Sequence, residues 1–138
     1  MKNIETTAEL AHLVESCVHG PVAVKSKARV FQAIRIFINR ELQELAAGLE
    51  GAVMVLKPEG RLCVISYHSL EDRLVKRFIK DKAEPCLCPP DLPECRCGRR
   101  PELVEMTRKP LRPSDEELQR NPRSRSARLR VAKKISMD

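Results

Sequence analysis

The sequence has no tryptophan, one tyrosine and three phenylalanines in 138 residues. Aliphatic side chains must therefore fill its core. No apolar run reaches the length that a membrane span requires, and the opening MKNIETTAELAH lacks the basic-then-apolar pattern of a secretory signal. The expectation is a protein without a membrane partner. Several chemical signatures are also missing. There is no Gly-x-Gly-x-x-Gly, no Gly-rich phosphate loop ending in Lys-Ser/Thr, no Gly-x-Ser-x-Gly elbow and no pair of carboxylates at a recognisable catalytic spacing. These absences argue against a dinucleotide-binding module, a nucleoside triphosphatase and a serine hydrolase.

What is present is a basic charge, unevenly distributed. The formal net charge is +7. Residues 99–134 hold twelve Lys/Arg and five Asp/Glu, a net of +7, so the remainder sums to zero. From Arg120 to Lys134 there are seven basic residues and no acid. A one-sided basic end suits a polyanionic partner; the plainer alternative is a solvated tail. The length allows one modest domain. Six cysteines without an export signal point to reduced thiols or metal ligands rather than disulfides.

Periodicity supplies the elements. Thr6 or Thr7 caps a short helix reaching Val18, which Gly20-Pro21 ends. A helical region follows from Lys27 to Leu56, with apolar residues at steps of three and four; Gly48 and Gly51 predict a bend or a division into two helices. Pro58-Glu59-Gly60 reads as a turn. Leu62-Cys63-Val64-Ile65 does not alternate, which predicts a strand covered on both faces, as in a parallel sheet. Ser69 with Asp72 fits a capping box for a helix reaching Lys80, with Leu70, Leu74, Val75 and Phe78 on its core side. Residues 83–101 form a Pro- and Cys-rich loop. Leu103–Thr107 reads as a strand, and Ser114 with Glu117 as a second capping box whose helix stops at Asn121-Pro122. Ala127, Leu129 and Val131 alternate with Arg128 and Arg130, which predicts a half-buried strand with a basic outer face. The fold class is α/β, a helix–strand–helix layer fragment.

Three groups of residues carry chemistry. Ser66, Tyr67, His68 and Ser69 occupy the carboxyl end of the predicted strand, the edge at which α/β sheets bind ligands. His68 and Ser66 are the candidate catalytic residues; the competing reading makes Ser69 a helix cap and His68 a packed turn residue. Cys86-x-Cys88 and Cys95-x-Cys97 offer four thiols that can close a tetrahedral zinc site, although the usual spacing is Cys-x-x-Cys; the competing reading is a loop of reduced cysteines. Arg123, Arg125, Arg128 and Arg130 are candidates for phosphate contact, against a solvated edge that resists strand pairing. Asn121-Pro122-Arg123-Ser124 shares its first two residues with the Asn-Pro-Pro-aromatic motif of amino-methyltransferases but lacks the second proline and the aromatic, and reads as a helix stop.

Three separated blocks, RVFQAIRIFINREL (Arg29–Leu42), GRLCVISYHSLEDRLVKRF (Gly60–Phe78) and PSDEELQRNPRSRSARLRVAKK (Pro113–Lys134), resemble the C-terminal half of the RsmH (MraW) family. Those enzymes use S-adenosylmethionine to methylate the N4 amine of a cytidine in small-subunit ribosomal RNA. The resemblance implies the C-terminal part of a Rossmann-like class I methyltransferase sheet. Residues 1–22 would be the end of a helical insertion or its exit, and 23–138 the C-terminal part of the methyltransferase domain. Leu62–Tyr67 would be the fifth strand, and Leu103–Thr107 with Ala127–Lys133 the closing antiparallel pair. It further implies small-subunit ribosomal RNA or the subunit itself as partner, a cytoplasmic location, and Arg29 as a further RNA-binding residue. Arg29 is the one match to the family's His-Pro-Ala-Thr-Arg segment, where this chain reads Lys25-Ser26-Lys27-Ala28-Arg29; Tyr67 stands where Phe is usual. The family's Gly-rich cofactor segment has no counterpart here. The expectation is a fragment that binds no S-adenosylmethionine by itself. The alternative is a non-catalytic RNA-binding remnant with a zinc-stabilised Cys loop.

Overall fold

The computed structural model describes residues 3–86, 88–89 and 97–136. It divides into two compact units, Met1–Glu41 and Leu42–Asp138.

The first unit is helical. Helix α1 (Thr7–Cys17) opens with a full capping box: the Thr6 hydroxyl accepts from Glu9 N at 3.2 Å, and the Glu9 carboxylate accepts from Thr6 N. Helix α2 (Pro21–Ile38) starts at Pro21, whose fixed φ suits a first helical turn, and Gly20 before it takes a φ of 73°. Lys27 of α2 pairs with Glu15 of α1, and this holds the Glu15 carboxyl below its ordinary value. The expected division of the long helical region is present but elsewhere. The helix breaks at Asn39-Arg40, with Arg40 left-handed at φ 51°, and the next helix carries Gly48 and Gly51 in its interior. Neither glycine has a left-handed φ. Propensity alone therefore misplaced the break.

The second unit is a two-layer α/β structure. Its elements are helix α3 (Glu41–Val55), strand β1 (Arg61–Ser66), helix α4 (Ser69–Ala83), strand β2 (Leu103–Glu105), helix α5 (Asp115–Arg120), a 3-10 turn over Pro122–Ser126, and strand β3 (Arg128–Lys134). The sheet order is β1-β3-β2, antiparallel throughout, with Leu62 opposite Ala132, Val64 opposite Arg130 and Leu103 opposite Lys134. The turn into β1 needs Gly60, because a Cβ there would lie 2.7 Å from Lys57 O. The core lies on one side of the sheet: Leu49 and Val53 of α3, Val75 and Ile79 of α4, Leu62, Leu103 and Ala132. Lys134 closes it by donating to Val53 O at 2.7 Å, a cation at the C-terminal end of α3.

Two expectations about the strands are corrected. β1 is not covered on both faces: Leu62 and Ser66 are buried, while Cys63 and Ile65 face outward, Ile65 with 59% of its surface exposed. An apolar run can cover one face and leave hydrophobic residues on the other, so the lack of alternation did not establish a parallel sheet. The two faces of β3 are also the reverse of the expectation. Arg130 is 4% exposed and points into the α4 side, while Leu129 and Val131 occupy the opposite face with Ile65 and Cys63. A period of two assigns residues to faces but does not say which face is inside.

Candidate nucleic-acid interface

Helix α4 starts one residue earlier than its capping signal implied. His68, not Ser69, is the N-cap. Its Nδ1 accepts from Glu71 N at 3.3 Å, and the Glu71 carboxylate accepts from His68 N at 3.2 Å and Tyr67 N at 2.9 Å. Because Nδ1 accepts, the neutral ring carries its proton on Nε2. Nε2 approaches Glu71 Oε1 to 3.1 Å, but at an angle too poor for a hydrogen bond, and it has no other partner among the described residues. In this tautomer Nε2 is a donor. Nδ1 is engaged at the helix N-terminus. Ser66, the other candidate catalytic residue, is 5% exposed and faces the same side as Leu62.

The shift of the cap releases Asp72 for a different task. Asp72 shares the inner stripe of α4 with Val75 and Ile79. Its Oδ1 accepts from Arg130 Nε at 2.7 Å, and its Oδ2 from Arg130 Nη2 at 3.3 Å and Arg128 Nη1 at 3.0 Å. The Arg130 guanidinium holds the Asp72 carboxyl below its ordinary value of 3.8, against the opposing effect of burial; Arg128 adds to the lowering. Arg130 is thus committed to a buried two-point contact and is closed to a phosphate. Arg128 is shared, since about a third of its side chain remains exposed.

Beyond this pair the strand end opens into a cavity of about 310 Å³ lined by Tyr67, Ser69, Arg112, Arg125, Ser126, Ala127 and Arg128. Local structure explains the convergence. A two-residue bridge, Leu111 N to Leu129 O and Leu129 N to Leu111 O, both 2.9 Å, sets Arg112 beside the start of β3. The 3-10 turn, tied by Ser124 Oγ donating to Asn121 O at 2.8 Å, presents Arg125. Ser114 caps α5 as expected, accepting from Glu117 N. A more apolar hollow of about 250 Å³ adjoins it, lined in part by Ile65, Leu111 and Leu129, and Tyr67 borders both. Of the residues read from sequence, the structure brings Tyr67, Ser69, Arg125 and Arg128 together. Arg123 is exposed on the turn, and Arg29 is exposed on α2 in the first unit. Arg112 was missed; its signal was a basic residue fixed between Pro110 and Pro113. Asp72 was misread as a cap partner, although its spacing to Val75 and Ile79 placed it on the buried stripe.

The cysteine loop leaves α4 and returns to β2. Cys86, Cys88 and Cys97 have their sulfur atoms within 4.8 Å of one another. Cys95 lies outside the described residues.

A model of the MraW methylase family matches residues 1–135. The chain belongs to the MraW methylase family. It is 56% identical over 136 residues to the ribosomal RNA small subunit methyltransferase H of Thermomicrobium roseum, covering 98% of this chain and 42% of that protein. It is 52% identical over 135 residues to the protein of the same name from Caldicellulosiruptor saccharolyticus, covering 97% and 44%, and 58% identical over 108 residues to that from Carboxydothermus hydrogenoformans, covering 78% and 35%. The chain spans less than half the length of these curated relatives. Among the described residues of this MraW-family chain, no helix is long and apolar enough to cross a membrane.

A methylase implies a methyl donor, and the strand-end cavity can be tested against one. S-adenosylmethionine carries a sulfonium cation. A cavity lined by Arg112, Arg125 and Arg128 repels a cation and suits an anion. The lining offers the donor's sulfonium no partner, and no step through the donor follows from it.

Proposed function

We propose that this chain is the RNA-facing part of an enzyme that transfers a methyl group from S-adenosylmethionine to the N4 amine of a cytidine in small-subunit ribosomal RNA. On this reading the sheet belongs to a Rossmann-like methyltransferase, residues 1–22 are the end of a helical insertion, and the donor is held by residues outside this sequence. The observation that carries the proposal is the arginine cavity at the carboxyl end of β1, in a chain of this family. Arg112 and Arg125, with the exposed side of Arg128, hold an RNA phosphate. Tyr67, 57% exposed between the arginine cavity and the apolar hollow, offers a face on which a base stacks. His68, as the N-cap of α4, keeps the strand end and α4 in register. The work of these residues is placement, which is the main demand of an in-line transfer to an exocyclic amine.

The test uses the complete polypeptide that carries this chain, incubated with small ribosomal subunits and labelled methyl donor. The expected product is N4-methylcytidine in digested ribosomal RNA. Transfer to a ring carbon or to ribose, or none, would contradict the proposal. A second reading, an RNA-binding module without catalysis, rests on the same arginine cavity. RNA binding without methyl transfer in the complete polypeptide would select it.

A further inference from the structure

The cysteine loop is closed at its neck by contacts that do not involve sulfur. Glu102 N donates to Lys82 O at 2.9 Å, and Lys82 Nζ lies 2.9 Å from Glu102 and 3.0 Å from Glu50. Beyond that neck, three thiols meet. Cys86 Sγ and Cys97 Sγ are 3.9 Å apart, and Cys88 Sγ lies within 4.8 Å of both. A disulfide needs about 2.05 Å between sulfurs. Zinc–sulfur bonds of about 2.3 Å in a tetrahedron place their sulfurs about 3.8 Å apart, which is the spacing of the Cys86–Cys97 pair. Arg99 and Arg100 follow Cys97 by two and three residues. Soft thiolate ligands in tetrahedral array select zinc over magnesium or calcium.

We propose that Cys86, Cys88 and Cys97 form a thiolate site for a structural zinc ion that cross-braces the loop between α4 and β2. The ion supplies a second tie beyond the Lys82–Glu102 neck and fixes the segment that carries Arg99 and Arg100. The site is independent of the arginine cavity and does not rest on the methyltransferase reading.

The 138-residue chain, purified without a metal-affinity tag and under reducing conditions, tests this by elemental analysis and zinc-edge X-ray absorption. The expected result is one zinc per chain with at least three sulfur neighbours. Cobalt exchange should give the charge-transfer and strong visible bands of a tetrahedral thiolate site. Cys86→Ser and Cys97→Ser should each lower zinc affinity by roughly a hundred-fold or more, while Cys17→Ser and Cys63→Ser leave it unchanged. Because a loop variant can misfold, the wild-type chain is also stripped with a chelator and reloaded: its melting temperature should fall and then recover. Failure to bind zinc at micromolar concentration, fewer than three sulfur neighbours, or full occupancy in Cys97→Ser would each overturn the proposal.

Discussion

Arg125 and Arg130 belong to the same basic run, yet the fold gives them opposite environments. Arg130 is 4% exposed and grips Asp72 through two nitrogens. Arg125 is exposed and lines the strand-end cavity with Arg112. Arg128 stands between them, bonded to Asp72 on one side and open to the cavity on the other. The difference comes from what each meets. A buried guanidinium needs a carboxylate because desolvation of an unpaired charge costs several kcal/mol, and α4 supplies one at Asp72. No such partner is needed at the cavity, where water or a phosphate completes the shell. One basic segment therefore divides into a part that holds the sheet to α4 and a part that lines an open cavity.

The comparison is broken most directly at Asp72. Asp72→Ala leaves the buried Arg130 without its partner and should destabilise the fold by about 3–5 kcal/mol, read by urea unfolding. A loss below about 1 kcal/mol would place Arg130 in water. The same contact has a pH signature. The folded Asp72 pKa is lowered, so its contribution is present above the ordinary value of 3.8 and is lost as pH falls through the lower folded value. Asp72→Asn should remove that part of the acid dependence.

A smaller effect is expected at the cap of α4. His68→Ala should cost about 1 kcal/mol, whereas His68→Asn, a good N-cap, should stay within a few tenths. If His68→Asn methylates normally in the complete polypeptide while His68→Ala does not, the residue acts by position. A modest stability change is expected at the neck of the cysteine loop. Lys82→Met should cost between zero and about 1 kcal/mol, because Glu50 and Glu102 are partly exposed. The Lys82 pKa is raised, chiefly by Glu102, so its contribution is complete below the ordinary 10.5 and is lost as pH rises through the higher folded value. Alkaline titration of wild type and variant should therefore converge only at strongly basic pH.

The parts legible in the sequence were those governed by local rules. Thr6 and Ser114 as caps and the turn at Pro58–Gly60 follow from short-range signals, whereas the pairing of the last two strands was an expectation from the family resemblance. The parts that were not legible depend on partners distant in the chain. Whether Arg130 or Leu129 faces inward is decided by Asp72, 58 residues away. The helix break at Arg40 rather than near Gly48 shows tertiary context overriding propensity. His68 displaced Ser69 as cap because Glu71, not Asp72, closes the box. Arg112 joined the site through the Leu111–Leu129 bridge, a pairing too short to leave a strand pattern.

The central claim is that the outward arginines bind phosphate and the inward one does not. The most direct measurement is the salt dependence of affinity for a labelled fragment of small-subunit ribosomal RNA, with melting temperature followed in parallel. Replacing Arg112 and Arg125 together with Ala should lower the slope of log affinity against log salt by roughly 0.7–0.9 for each lost phosphate contact, with stability changed by less than about 0.5 kcal/mol. An unchanged slope in that well-folded double variant would contradict the account.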